Sequence, residues 1–191
     1  MADTTDPANG GLLSVLRERG FVYKTTDDET EDKPLEKLLG QKRVTADVGF
    51  DPTGSSLHVG HLVAVMGLAH LQRSGHRPLA IVGGGTGMVG DPSGKKEMRR
   101  VLSFEEIQAN LEALKAQLSR YLDIAPSSDP AETRGIMLNN ADWLLPLNYV
   151  EFLRDIGCYF SVNRMLAMES VKLRLDSETG LPFLEFNYCL L

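Results

Sequence analysis

The sequence is poor in several features that assign a protein to a class at once. Only two cysteines occur in 191 residues, Cys158 and Cys189. They are too few for a disulfide framework and lack zinc-ligand spacing, so both read as small, buried apolar residues. No apolar run is long enough to cross a bilayer, because the most apolar stretch, residues 57–71, is broken by His58, His61 and His70. The first residues, Met-Ala-Asp-Thr-Thr-Asp, are acidic and polar and carry no signal-peptide pattern. Positive charge is in deficit, with 20 Lys and Arg against 26 Asp and Glu, a net charge of −6. That balance argues against non-specific DNA coating or an anionic-membrane arm, and still permits an RNA held by a local basic patch. There is no internal repeat. The expectation is a cytoplasmic protein with neither DNA nor membrane as partner.

The composition that remains, 42% hydrophobic and 24% charged, is that of an ordinary globular chain able to bury a core without a metal or disulfide staple. Residues 1–10 read as a disordered tail, residues 12–19 as a helix stopped by Gly20, and residues 25–33 as an acidic solvated loop before a short helix at 35–39. Residues 44–50 read as a strand that turns through Asp51-Pro-Thr-Gly-Ser-Ser into a helix over about 57–74, closed by Gly75. Pro78 to Val82 is a continuous apolar run of the kind found in buried parallel strands. A glycine-rich loop follows at 83–94, and Ser103-Phe-Glu-Glu106 is a capping box opening a helix to about Tyr121. Residues 125–129 form a turn cluster, 134–139 a further strand, and 149–153 the start of a helix. Residues 185–191 read as a helix still in progress at Leu191. Strands alternating with helices predict an α/β fold, a Rossmann-like parallel sheet with crossover helices, incomplete at the C-terminus. The division expected is a tail and helical appendage over 1–43 and the N-terminal part of a catalytic domain over 44–191.

Two constellations carry chemistry. The first is Asp51-Pro-Thr53-Gly-Ser-Ser-Leu-His58-Val-Gly60-His61, placed where open α/β sheets bind ligands, at the carboxyl end of a strand. His58 and His61 are three apart and share a helix face. The helix N-terminus offers exposed N–H groups and a positive dipole to a phosphate. Imidazole donors there can stabilise charge developing on phosphate oxygens, and Gly60 leaves room for a flat group against the backbone. Plainer readings are a zinc pair, which lacks a third ligand, packed core histidines, and Asp51 as a simple helix-entry cap. No metal site is expected.

The second constellation is Gly83-Gly-Gly-Thr-Gly-Met-Val-Gly-Asp91-Pro-Ser-Gly-Lys95-Lys-Glu-Met-Arg99. Gly85 to Gly90 matches G-x-G-x-x-G after a strand, but Asp91-Pro-Ser-Gly breaks the helix a dinucleotide fold needs. The acidic residues about 20 positions on, Glu105 and Glu106, open a helix instead of ending a strand. A Walker loop is excluded as well, since Gly94-Lys95 lacks both the earlier glycine and the following Ser or Thr. What remains is a close-approach glycine loop with one carboxylate, Asp91, suited to an ammonium, and two cations, Lys95 and Arg99, suited to a polyphosphate.

The fragments GFDPTGSSLHVGHL, GHRPLAIVGGGTGMVGDPSGKK, NNADWL, FLRDIG, FSVNRMLAMESV and LEFNY together resemble bacterial-type tyrosyl-tRNA synthetases, of the class I aminoacyl-tRNA synthetases. The likeness runs from about Gly49 to Leu191. It implies the class I catalytic fold and a ligase that activates tyrosine with ATP and Mg²⁺ and passes the tyrosyl group to tRNA-Tyr, with no tightly bound cofactor and as a homodimer. By motif, the resemblance assigns His58, His61 and Thr53 to ATP phosphates, Gly60 to the adenine, and Asp51 to the adenylate. It puts Asp47 and Gly49 in the amino-acid pocket, Asp91 and Tyr188 on the ammonium of tyrosine, and Lys95 and Arg99 on pyrophosphate.

Two departures from the family pattern stand out. Asp47 occupies the position where the family usually carries a tyrosine that bonds the substrate phenol, so it is expected to weaken tyrosine selection. The second class signature, a KMSKS-type loop, has no counterpart up to Leu191, so the chain by itself is expected not to complete activation. The alternative expectation is a non-catalytic nucleotide-binding or dimerisation module. The apolar and aromatic residues over 143–168 read as core in preference to a subunit interface.

Overall fold

The computed structural model describes residues 11–29, 31–32, 34–90, 102–126, 134–177 and 180–191. Among these, four strands form one parallel sheet in the order β1-β2-β4-β3: β1 Thr45–Phe50, β2 Arg77–Val82, β3 Ile124–Ala125 and β4 Gly135–Asn139. The β3–β4 register pairs Ile124 with Gly135 and Ala125 with Ile136. Helix α3 (Val59–Arg73) lies between β1 and β2 in the chain, and α4 (Phe104–Leu118) between β2 and β3. This is the expected crossover pattern. Ala125, expected in a turn, is instead the strand residue that pairs with Ile136, because a two-residue strand is too short to leave a hydrophobic period in the sequence.

The chain divides into two compact units, and both are discontinuous in sequence. The first comprises residues up to Phe50, Gly54–Ile81 and Glu112–Leu138. It contains α1 (Leu12–Glu18), α2 (Pro34–Gln41), α3 and nearly all of the sheet. Its core includes Leu12, Phe50, Val65, Leu68, Leu71, Leu118 and Leu122, with Ala69 and Ala80 filling between them. Each leucine, valine or phenylalanine among them contributes about 1.5–3 kcal/mol by leaving water. Both α1 and α3 close as the glycines predict. Gly20 and Gly75 take φ of +74° and +81°, and the next residues donate back into the helices, Phe21 N–H to Leu16 O and His76 N–H to Leu71 O.

The second unit comprises Asp51–Thr53, Val82–Leu111 and Asn139–Leu191. After β4 it is made of short helices: α5 (Ala141–Leu144), α6 (Tyr149–Asp155), α7 (Val162–Ala167), α8 (Glu169–Leu175) and α9 (Phe183–Phe186), the last continued by a 3₁₀ turn over Asn187–Leu190. The capping box at the start of α4 is present, with Ser103 N–H donating to Glu106 and Glu106 N–H to the Ser103 hydroxyl. Over 143–168 the expectation of a core is corrected. Only Met165 is buried there, while Trp143, Leu147, Val150, Tyr159 and Val162 are exposed. Cys158 is exposed too, in the turn Gly157–Tyr159, and Cys189 is half-buried, so neither is a buried core residue.

Candidate functional site

In the first unit, β1 alternates between a half-buried and an exposed face, which leaves Thr45, Asp47 and Gly49 on the exposed face. A Cβ added at Gly49 would meet nothing within 4 Å, so the backbone there borders open space. Helix α3 is not entered through Asp51. Its N-cap is His58, whose Nδ1 accepts from Gly60 N–H at 3.1 Å, while His61 Nδ1 accepts from His58 N–H at 3.1 Å. The two rings stack with centroids 3.8 Å apart, and His61 also lies 6.4 Å from the Phe50 ring. This is a capping box built from two imidazoles in place of the usual Ser and Glu. An imidazole that accepts at Nδ1 carries its proton on Nε2, so each ring turns a donor away from the cap.

Gly60 proves to serve the cap itself. A Cβ at this position would lie 2.9 Å from His58 Cε1 and 3.0 Å from Nδ1, so glycine here leaves room for the His58 ring. The approach to the box is held by Gln117 of α4. Its Oε1 accepts from Leu57 N–H at 3.0 Å and from the Ser56 hydroxyl at 3.3 Å, and its Nε2 donates to Ser55 O at 3.0 Å.

In the second unit, Thr53 is exposed, Asp51 is half-buried and Pro52 between them is buried, with its carbonyl accepting from Asn110 Nδ2 at 2.8 Å. The glycine loop begins here. Buried Asn140 binds it from beneath: its Oδ1 accepts from Gly85 N–H at 2.7 Å and Thr86 N–H at 3.4 Å, and its Nδ2 donates to Thr86 Oγ1 at 3.0 Å. Glycine is required where the loop passes these groups. A Cβ at Gly84 would overlap the Asn139 carboxamide, and one at Gly83 would lie 2.6 Å from Thr86 Oγ1. Asp91, Lys95 and Arg99 fall outside the described residues.

Tyr188 is half-buried in the 3₁₀ turn after α9. One turn earlier in the chain, buried Glu185 accepts from Arg174 Nε at 2.6 Å and Nη2 at 2.9 Å, and Arg174 is 0% exposed. Gln117, Asn110, Asn140, Arg174 and Glu185 were all missed by sequence reasoning. Polar residues on helices, and Asn140 in the turn before α5, read as solvated, and only tertiary packing gives them partners. Among the described residues, no three His, Cys, Asp or Glu side chains are grouped so as to hold a metal.

A parallel sheet with crossover helices and a histidine-capped helix after its first strand compose the class I aminoacyl-tRNA synthetase catalytic fold. The chain belongs to the family described as tRNA synthetases class I (W and Y), whose model matches residues 40–191. It is 54% identical to the tyrosine–tRNA ligase of Desulfatibacillum aliphaticivorans over 180 residues, covering 94% of this chain and 39% of that protein. Against the tyrosine–tRNA ligase of Caldanaerobacter subterraneus subsp. tengcongensis the identity is 52%, over 94% of this chain and 41% of the relative. Among solved structures it resembles a C-terminally truncated Aspergillus nidulans mitochondrial tyrosyl-tRNA synthetase, with TM-score 0.78 and 28% identity over 98% of this chain and 54% of that one. The chain thus spans about two fifths of the length of the curated relatives it matches.

Proposed function

We propose that the chain is the amino-terminal part of a tyrosine–tRNA ligase, with residues 44–191 inside the catalytic domain and 1–43 a helical appendage. A carboxylate oxygen of tyrosine attacks the α-phosphorus of ATP in line, the bond to the β-phosphate breaks, and pyrophosphate leaves. A ribose hydroxyl at the end of tRNA-Tyr then attacks the tyrosyl carbonyl and AMP departs. Little covalent chemistry falls to the protein, so positioning and electrostatics carry the rate. The observation that carries this reading is the stacked His58–His61 box, which aims two imidazole donors outward at the N-terminus of a 15-residue helix.

In this reading His58, His61 and Thr53 meet the phosphates of ATP, which arrives with Mg²⁺ as part of the substrate, and Gly60 and Asp51 lie against the adenosine. Asp47 and Gly49 border the tyrosine side chain, Asp91 and Tyr188 take its ammonium, and Lys95 with Arg99 grips pyrophosphate. The protein works as a homodimer in the cytoplasm; no described helix is long and apolar enough to cross a membrane. The test is calorimetric binding of a non-hydrolysable sulfamoyl analogue of tyrosyl adenylate to the chain. Tyrosine-dependent ATP–pyrophosphate exchange by the chain joined in frame to the remainder of the Desulfatibacillum relative completes it. Binding that the His58→Ala/His61→Ala double variant loses, together with exchange by the chimera, is expected. Absence of both binding and exchange refutes the reading.

A further inference from the structure

The strongest unexplained feature outside the boxes above is a buried ion pair among very short helices. Helix α8 has seven residues and α9 four, lengths at which a helix has no stability of its own, so tertiary contacts decide how each is turned. The contact that does so is the Arg174 fork. Nε and Nη2 bond both oxygens of Glu185, and Nη1 donates to the Ser177 hydroxyl at 3.0 Å. Ser177 in turn donates to Arg174 O at 2.6 Å, which ties the fork to the end of its own helix. Both partners are buried, the arginine fully.

Stability alone is a poor reason for such a pair. Two charges removed from water lose about as much solvation as their attraction returns, and well-packed apolar residues often do as well or better. What a bidentate guanidinium–carboxylate pair supplies is direction. Its two parallel hydrogen bonds accept one relative orientation of the two side chains, and a lysine cannot reproduce that geometry. Glu185 lies three residues before Tyr188, the spacing that puts two side chains on neighbouring positions of one helical face. Turning Glu185 therefore turns Tyr188.

We propose that the Arg174–Glu185 fork is a positioning device that fixes the orientation of Tyr188 toward the ammonium of the amino-acid substrate, and so sets amino-acid affinity without touching the ligand. The inference rests on the assignment of Tyr188 to that ammonium. Neither residue is catalytic. Loosening the fork selectively weakens ligands that carry an ammonium and spares those that lack it.

The experiment compares tyrosine with 3-(4-hydroxyphenyl)propionate, the same molecule without its amino group, by calorimetry on the 191-residue chain. Arg174→Lys keeps the charge and loses the fork, Glu185→Gln keeps the shape and loses the charge, and Ser177→Ala removes one arm at the rim. The expected result is tyrosine binding weakened about tenfold by R174K and E185Q and about threefold by S177A, with the amino-free ligand unchanged. Equal weakening of both ligands, or of neither, overturns the proposal and leaves the pair a packing element. If R174K or E185Q fails to fold by circular dichroism, S177A decides alone. Tyr188→Phe separates the two layers. If it leaves the tyrosine preference intact, or if the wild-type chain binds no tyrosine, the assignment of Tyr188 fails and the inference with it. If it abolishes the preference while the fork variants do not, only the inference fails.

Discussion

An imidazole that caps a helix through Nδ1 has surrendered one nitrogen to the backbone, and the other becomes a donor of fixed direction. Gly60 makes this possible, since a methyl group there would displace the His58 ring. Gly60→Ala gains about 1 kcal/mol of helix propensity and loses about 1 kcal/mol of capping. Unfolding by urea should therefore change by less than about 1 kcal/mol, while the His58 ring nitrogens shift in ¹⁵N NMR as the Nδ1 bond to Gly60 breaks. An unchanged His58 spectrum would show that the cap does not depend on this glycine. Asp47 poses the other question at this scale. It stands on the exposed face of β1, where the resemblance expects a tyrosine able to bond a phenol. Asp47→Tyr should raise the preference for tyrosine over phenylalanine by tenfold or more, since an unpaired polar group rejects the ligand lacking its partner. Equal saturation curves for the two amino acids, before and after the substitution, would remove Asp47 from the selecting residues.

Elements meet in this chain through polar side chains as much as through apolar ones. The turn that ends α3 is tied to the start of β1 by buried His76, whose Nδ1 accepts from Val44 N–H at 3.3 Å, and by Arg43 Nε donating to Gly75 O at 3.0 Å. Burial, and then the nearby Arg43 charge, hold the His76 pKa below its ordinary 6.5. His70 is lowered in the same way, by burial first and then by Arg19 and Arg73. A lowered histidine pKa means that the folded state binds the proton less readily than the unfolded chain. The stability these neutral rings supply is whole above pH 6.5 and is lost as pH falls from there through their folded pKa values. Urea unfolding at pH 7.5 and 5.5 should show a lower midpoint at the acid pH. His76→Asn, which keeps an acceptor in place of Nδ1 and cannot titrate, should flatten part of that dependence. An identical pH slope in the variant would assign the acid sensitivity elsewhere.

On the scale of the whole molecule, the second unit displays many apolar side chains to solvent. Val150 is 72% exposed and Tyr159 82%, with Trp143, Leu147, Phe160 and Val162 also open. Exposed apolar side chains in this number along one stretch of chain are the support for the proposed homodimer. Sedimentation at micromolar concentration should give a dimer, and Val162→Glu should raise its dissociation constant at least tenfold while leaving circular dichroism unchanged. A monomer at every concentration would sink the assignment.

Much of this was legible in the order of residues. The three longer strands, the helices over 59–73 and 104–118, their glycine and Ser-x-x-Glu boundaries, and the family itself follow from local chemistry: φ at Gly20 and Gly75, side-chain caps, and motifs whose spacing is short-range. Sequence alone also marked His58 and His61 as a pair. It did not reveal that they cap the helix with each other, that Asn140 holds the glycine loop, or that Arg174 and Glu185 meet in the interior. Those are contacts between residues brought together by tertiary packing, and a polar side chain on a helix looks the same in a sequence whether it faces water or a buried partner. The apolar stretch over 143–168 failed for the converse reason. Hydrophobicity says that a surface is to be covered, and only the folded chain decides whether its own residues do the covering.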